Sequence, residues 1–233
     1  MDENKEPFLT VFSPNFNNER YISETIESII NQTYSNFEYL IIDDGSTDSS
    51  WEIIQKYAKK DKRIKIFRNE KNLGIVKTRN KGLKARSPKS KYFAINDSDD
   101  VSKLNRLRIQ VEFLEKNQDH GLVGSNIIII NKDSQNIGFR KFPSSDKKIK
   151  KIIIRYNPIA QSSVTLRTEV VEQVGNYVAK WIFCEDYDYW LRVGMSWKLA
   201  NINKPLIRYR ISETQIKKRY LKESIKQTYK ISR

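Results

Sequence analysis

The order of apolar and polar positions divides the chain into two textures. Through the first half, short apolar runs alternate with longer stretches in which apolar residues recur every three or four positions, the periods of buried strands and amphipathic helices. The runs FLTVFS (8–13), FEYLIID (37–43), IKIFR (64–68) and KYFAI (91–95) predict four strands. Between them, residues 21–31, a segment capped at Ser49 or Ser50 and reaching 59, and residues 78–85 predict helices. Strand alternating with helix predicts an α/β fold. Its central sheet is expected to be mostly parallel and Rossmann-like, with helices on both faces and ligands at the carboxyl ends of the strands.

Beyond a long helix at 103–117 the texture changes, and residues 122–131 and 137–142 read as strands with less regular connections. No Pro/Gly/Ser-rich linker separates the halves and no internal repeat is visible, so a single domain is expected over 1–212, with a smaller second region. Its halves fall at about 8–117 and 118–212. From 213 to 233, Lys218, Lys222, Lys226 and Lys230 recur every four residues beside Leu221, Ile225 and Tyr229. That spacing predicts a C-terminal helix carrying a basic row next to a short apolar row.

Composition changes this picture only in part. The 233 residues include 43 Lys and Arg against 28 Asp and Glu, a net charge of +15, and the 38% hydrophobic content suffices for a packed core. The charge points to an anionic partner, namely nucleic acid or an anionic membrane surface, or to a Lys-rich surface alone. Composition does not choose among them. Cys184 is the only cysteine, which excludes an intrachain disulfide and a Cys-rich zinc cluster. Residues 1–5 hold no apolar signal core, and no run approaches the ~20 apolar residues of a membrane span. A cytoplasmic location is therefore expected.

The candidate chemistry lies in acids at strand ends. Asp43 and Asp44, followed by Gly45 and Ser46, close the second strand, and Asn96-Asp97-Ser98-Asp99-Asp100 closes the fourth. In a parallel sheet both ends reach one edge, where mutual repulsion favours a bound cation. Asp97 and Asp99, two residues apart, share a side of an extended segment and suit Mg²⁺ or Mn²⁺ shared with phosphate oxygens. The bland alternative is a pair of turn and cap acids. A third cluster, CEDYDYW (184–190), interleaves acids with aromatics, as a sugar site does; the alternative is a helix start with Asp186 in its first turn and Trp190 in the core. No GxGxxG, GxxxxGK[ST] or GxSxG motif is present, which argues against a dinucleotide fingerprint, a P-loop ATPase and an α/β-hydrolase.

Taken in order, SPNFNNERYISETIESIINQTY (13–34), FEYLIIDDGSTDSS (37–50), RNEKNLGIVKTRNKGL (68–83), YFAINDSDD (92–100) and CEDYDYWLR (184–192) resemble the family 2 glycosyltransferases, inverting enzymes with a GT-A fold. The resemblance covers most of residues 8–210. It implies a nucleotide-sugar donor, most often a UDP-sugar, and a glycan or lipid-linked acceptor, with Mn²⁺ or Mg²⁺ as cofactor and surface polysaccharide as the product. By similarity Pro14, Asn15 and Phe16 would line the base, Asp44 would accept a hydrogen bond from uracil, and Arg79 would hold the nucleotide. Asp97 would contact the ribose and Asp99 would ligate the metal. Asp186 falls at the general base, with Glu185, Asp188 and Trp181 on the acceptor side.

Two departures stand out: Ser212 follows Tyr209-Arg210-Ile211 where many relatives carry His, and Gln161-Ser162 stands where His-Pro is frequent. A sugar-nucleotide synthesising transferase is the enzymatic alternative, but the loop after the first strand lacks that class's Gly-rich phosphate loop. A nucleic-acid binder is the other, and no recognised module gathers the basic residues, so no nucleic-acid partner is expected. The C-terminal helix is expected either to meet an anionic membrane surface peripherally through its basic row or to pack its narrow apolar row on the enzyme's own core.

Overall fold

The computed structural model describes residues 6–211 and 221–231. Strands β1 (Leu9–Asn15), β2 (Phe37–Asp43), β3 (Ile64–Arg68) and β4 (Tyr92–Ile95) run parallel, linked by helices α1 (Ile22–Ile30), α2 (Ser50–Lys60) and α3 (Ile75–Ala85). The chain continues through β5 (Val101–Ser102), α4 (Arg106–Lys116), the long β6 (His120–Ile130), β7 (Asn136–Arg140) and α5 (Asp146–Ile153). A 3₁₀ turn (Gln161–Ser163), β8 (Thr165–Arg167), α6 (Thr168–Val174), a second 3₁₀ turn (Ala179–Trp181), α7 (Glu185–Ser196) and β9 (Lys198–Arg210) follow, and α8 (Leu221–Ile231) closes the described chain. One sheet has the order β3-β2-β1-β4-β8-β6-β9-β5, with β7 paired to β6. It is parallel from β3 to β4 and again between β6 and β9, and antiparallel at β8, β5 and β7.

Side-chain alternation along each central strand feeds two cores, one per face. Leu9 and Val11 of β1 pack with α1, α2 and α4, and Phe12 packs with α3, α5, α6 and α7. Trp190 is fully buried in the second core, as the bland alternative for that residue has it. Burial of such a side chain contributes about 1.5–3 kcal/mol. The sheet is therefore a rigid platform with its parallel strand ends on one edge.

Element boundaries differ from the sequence expectation where distant groups intervene. β1 runs two residues further, through Pro14 and Asn15, and pairs them with Ile42 and Asp43. Proline is accommodated because β4 pairs only Leu9 to Phe12, so its missing N–H faces no strand. Helix α3 starts at Ile75 rather than 78, because the Asp44 carboxylate accepts N–H bonds from Leu73 and Gly74, each 2.9 Å, just ahead of its first turn. Helix α4 starts at Arg106 rather than 103, since Lys103 still donates its N–H to Leu206 of β9 at 2.9 Å. The C-terminal helix forms at 221–231, with Lys226, Tyr229 and Lys230 exposed; Ser212 and Lys218 lie outside the described residues. Gln227 accepts from the Phe183 N–H at 3.2 Å, so α8 rests against the loop leading into α7.

Candidate active site

The parallel edge carries both acidic strand ends, but each is held differently. Asp43 is fully buried and accepts from Asn15 Nδ2 (2.8 Å), Ser46 N (2.9 Å) and Ser46 Oγ (2.6 Å). Asp44 accepts from Asn69 Nδ2 (2.6 Å) in addition to the Leu73 and Gly74 amides. The turn between them depends on Gly45, whose φ is +75° and whose added Cβ would lie 2.6 Å from the Lys71 carbonyl carbon. Beside this turn opens a cleft of about 620 Å³, lined by Gly45, Ser46, Thr47, Arg68, Asn69 and Glu70. Phe16, 45% exposed, follows β1 in the adjoining loop, which Asn17 ties to Thr47 (2.8 Å) and Ser46 (2.9 Å).

At the end of β4 arginines hold the acids. Arg79, 6% exposed, donates to Asp97 Oδ1 at 3.1 Å and pairs closely with Glu185, and these acids raise its affinity for the proton against its burial. Ser162 Oγ donates to the other Asp97 oxygen at 2.9 Å. Arg210 is fully buried: its N–H donates to Asp100 Oδ1 (2.8 Å), Nε to the Asp99 carbonyl (2.8 Å) and Nη2 to Glu24 (2.5 Å). Arg106 lies fully buried beneath the same loop, donating to Asn96 Oδ1 (2.9 Å) and the Ile95 carbonyl (2.7 Å). Burial pushes its guanidinium down to about 9 against the upward pull of Asp100 and Asp97, so it stays cationic at neutral pH. Burial, then the charges of Asp99 and Asp97, hold the Asp100 carboxyl well above its ordinary range.

Tyr209 belongs to β9. Burial raises its hydroxyl pKa most, and the charges of Asp100, Asp99, Asp97 and Asp186 raise it further. Asp186, 4% exposed in the first turn of α7, accepts from Asn157 Nδ2 (2.9 Å) and from the Tyr187 N–H (2.8 Å). The structure thus brings together Asp97, Asp99, Arg79, Glu185 and Asp186. Pro14, Asn15 and Asp44 stand at the neighbouring strand ends. Asp188 points elsewhere, accepting from Arg192 Nε at 2.9 Å, and Arg192 in turn holds the Val174 and Asn176 carbonyls. Trp181 is partly buried against the core under α7.

Ser162, Tyr209, Arg106, Arg210 and Asn157 were missed as site residues. Arg106 had a faint signal, since it precedes Leu107, Val111 and Leu114 on the buried face of α4. Ser162, Tyr209 and Arg210 stand in the two stretches where the chain departs from the family pattern, which is their signal in the sequence. Among the described residues no group of three His, Cys, Asp or Glu could by itself hold a metal. A hard divalent cation nevertheless fits the donor chemistry when phosphate oxygens complete its shell. Asp99 and Asp97 crowd the buried Asp100 there, and after burial their charges raise its carboxyl, as carboxylates gathered without a bound cation do.

The family model described as "Glycosyl transferase family 2" matches residues 10–173. An uncharacterized glycosyltransferase of Haemophilus influenzae is 36% identical over 97% of this chain and 72% of its own length. The Escherichia coli enzyme named UDP-Glc:alpha-D-GlcNAc-diphosphoundecaprenol beta-1,3-glucosyltransferase WfgD is 31% identical over 92% of this chain and 81% of its own. Among solved structures, the mannosyltransferase PcManGT of Pyrobaculum calidifontis, in complex with GDP-Man and Mn²⁺, superposes with a TM-score of 0.74 at 14% identity. That match covers 97% of this chain and 64% of the other, and it shows the shared fold, the GT-A architecture. With the family model spanning well over half of its residues, the chain belongs to glycosyl transferase family 2.

Proposed function

We propose that this glycosyltransferase is inverting and metal-dependent, and moves a sugar from a UDP-sugar to a hydroxyl of a glycan or lipid-linked acceptor. The observation that carries the reading is Arg79, which joins Asp97 at the end of β4 (3.1 Å) to Glu185, the neighbour of Asp186 at the start of α7, and so brings the two acidic clusters to one place. In this reading residues 1–212 are the catalytic domain. The cleft beside Gly45 takes the nucleotide, with the exposed Phe16 ring as a face for the base. Asp97 meets the ribose. Asp99 would hold Mn²⁺ or Mg²⁺, which when bound neutralises charge on the departing diphosphate.

Asp186 does the protonic work. As the acceptor oxygen attacks the anomeric carbon from the face opposite the nucleotide, Asp186 takes the hydroxyl proton, and the bond from that carbon to the diphosphate oxygen breaks with its electrons leaving on the nucleotide. The bonds from Asn157 and the Tyr187 amide fix its carboxylate for that task. Arg79 is held by Asp97 and Glu185, so its role is to lock the ribose acid to the base-bearing helix as well as to add positive charge. A UDP-linked donor and a diphosphoundecaprenol acceptor are in the printed name of the Escherichia coli relative, which supports the substrate class.

Calorimetric titration of UDP with and without Mn²⁺ tests the reading. Binding that appears only with the metal, and Mn²⁺-dependent UDP-sugar hydrolysis abolished in Asp186→Asn, are expected. Equal binding without metal, or hydrolysis unchanged in Asp186→Asn, overturns it.

A further inference from the structure

Helix α5 carries a surface that the catalytic reading does not use. Residues 141–157 hold six basic side chains and a single acid, Asp146, whose carboxylate pairs with Lys150 at 3.3 Å and also accepts from the Leu199 N–H. Ile149 and Ile153 face the core, and 100° per residue then puts Lys147 and Lys151 on the opposite side, flanked by Lys148, with Ile154 and Arg155 in the turn that follows the helix. All five are exposed, Ile154 at 57%, and Tyr156 just beyond is 47% exposed. A bilayer headgroup layer takes both, apolar residues at the acyl boundary and cations among anionic phosphates, with Tyr suited to the interface. The patch adjoins the base: the Ile153 carbonyl accepts from the Tyr187 hydroxyl of α7, and Asn157 donates to Asp186.

We infer that the outer face of α5 and the turn after it, Lys147, Lys148 and Lys151 with Ile154, Arg155 and Tyr156, dock on an anionic lipid bilayer and hold the acceptor side of the site at the membrane surface. This rests on the placement of the acceptor side at the start of α7. It differs from the sequence expectation, which placed any membrane contact at the C-terminal basic row. A phospholipid surface suits this face better than a nucleic acid because the apolar pair sits within the basic set and its rings and methyls need acyl chain, not phosphate.

Flotation of the full chain with vesicles of phosphatidylcholine alone or with added phosphatidylglycerol, in the absence of nucleotide, tests it. Preferential binding to the anionic vesicles is expected. Lys147→Gln, Lys148→Gln and Lys151→Gln should each weaken binding about fivefold, roughly 100-fold together, with the effect fading in high salt. Ile154→Ser should weaken it several-fold even in high salt. Mn²⁺-dependent UDP-sugar hydrolysis in these variants should equal the parent's, so loss of docking is separable from failure of the glycosyltransferase reading. Binding unchanged in the triple variant, binding lost only when residues 213–233 are deleted, or an oligonucleotide retained in place of vesicles overturns the inference.

Discussion

The ends of β2 and β4 look alike in sequence, IIDDGS and INDSDD, yet the fold uses their carboxylates in opposite ways. At the β2 end, Asp43 has Arg68 Nε at 3.6 Å in addition to its neutral donors, but Asp44 is taken up by neutral donors alone, an asparagine amide and two backbone N–H groups just ahead of α3. At the β4 end, the Arg79 guanidinium meets the Asp97 carboxylate, the Arg210 guanidinium holds the Asp99 carbonyl while its main-chain N–H holds Asp100, and burial followed by the charges of Asp99 and Asp97 raises the Asp100 carboxyl. The difference teaches that an acid held by amides is a structural clamp needing no further charge, whereas acids crowded together, even with arginines around them, remain a place for a cation.

The largest effect that could break this comparison is catalytic. Asp99→Ala should lower kcat/KM roughly 1,000-fold, the loss of several kcal/mol of charge stabilisation at the diphosphate, while the melting temperature stays near that of the parent. Parent-like metal-dependent UDP binding by this variant would refute the division. Next in size, Arg210→Met removes a buried guanidinium that bonds the Asp99 carbonyl and Glu24, and should cost about 3–5 kcal/mol in urea denaturation. Asp44→Ala, which frees one asparagine and two amides, should cost about 1–3 kcal/mol and leave metal affinity in place. Metal-dependent UDP binding lost in Asp44→Ala would break the division, because it would give the β2 acid a share in holding the cation.

The smallest effect is a control remote from both ends. Hydrogen bonds from Arg63, against some desolvation, hold the Asp61 carboxyl below its usual range. A depressed carboxylate stabilises fully above its unfolded pKa near 4 and loses that contribution as pH falls through the folded value. Asp61→Asn should therefore destabilise by less than about 1 kcal/mol at neutral pH and by nothing in strong acid. An equal loss at both pH values would assign the effect to packing.

The four parallel strands were legible because each is a local apolar run, and the acid clusters because chain order alone puts parallel strand ends on one edge. The antiparallel insertion of β8 between β4 and β6 was not, since Thr165–Arg167 is three residues long and takes its place from pairing with β4 and β6. The start of α3 differs from the sequence expectation for a similar reason: the two amides just ahead of it are held by Asp44, about thirty residues upstream. Of the acceptor-side acids, Glu185 and Asp186 came to the site and Asp188 did not, because a salt bridge one helical turn later claims it.

What the sequence by itself determined is the α/β order, the acidic strand ends, and the motifs from residue 13 to residue 192 that resemble the family. Only the tertiary structure decided which acid meets which cation, and that the basic surface beside Asp186 is α5. Periodicity and motif spacing report contacts a few residues apart. The pairs that set charge in this site, Arg79 with Glu185 and Arg210 with Glu24, are separated by 106 and 186 positions, and only the packed sheet brings them within bonding distance.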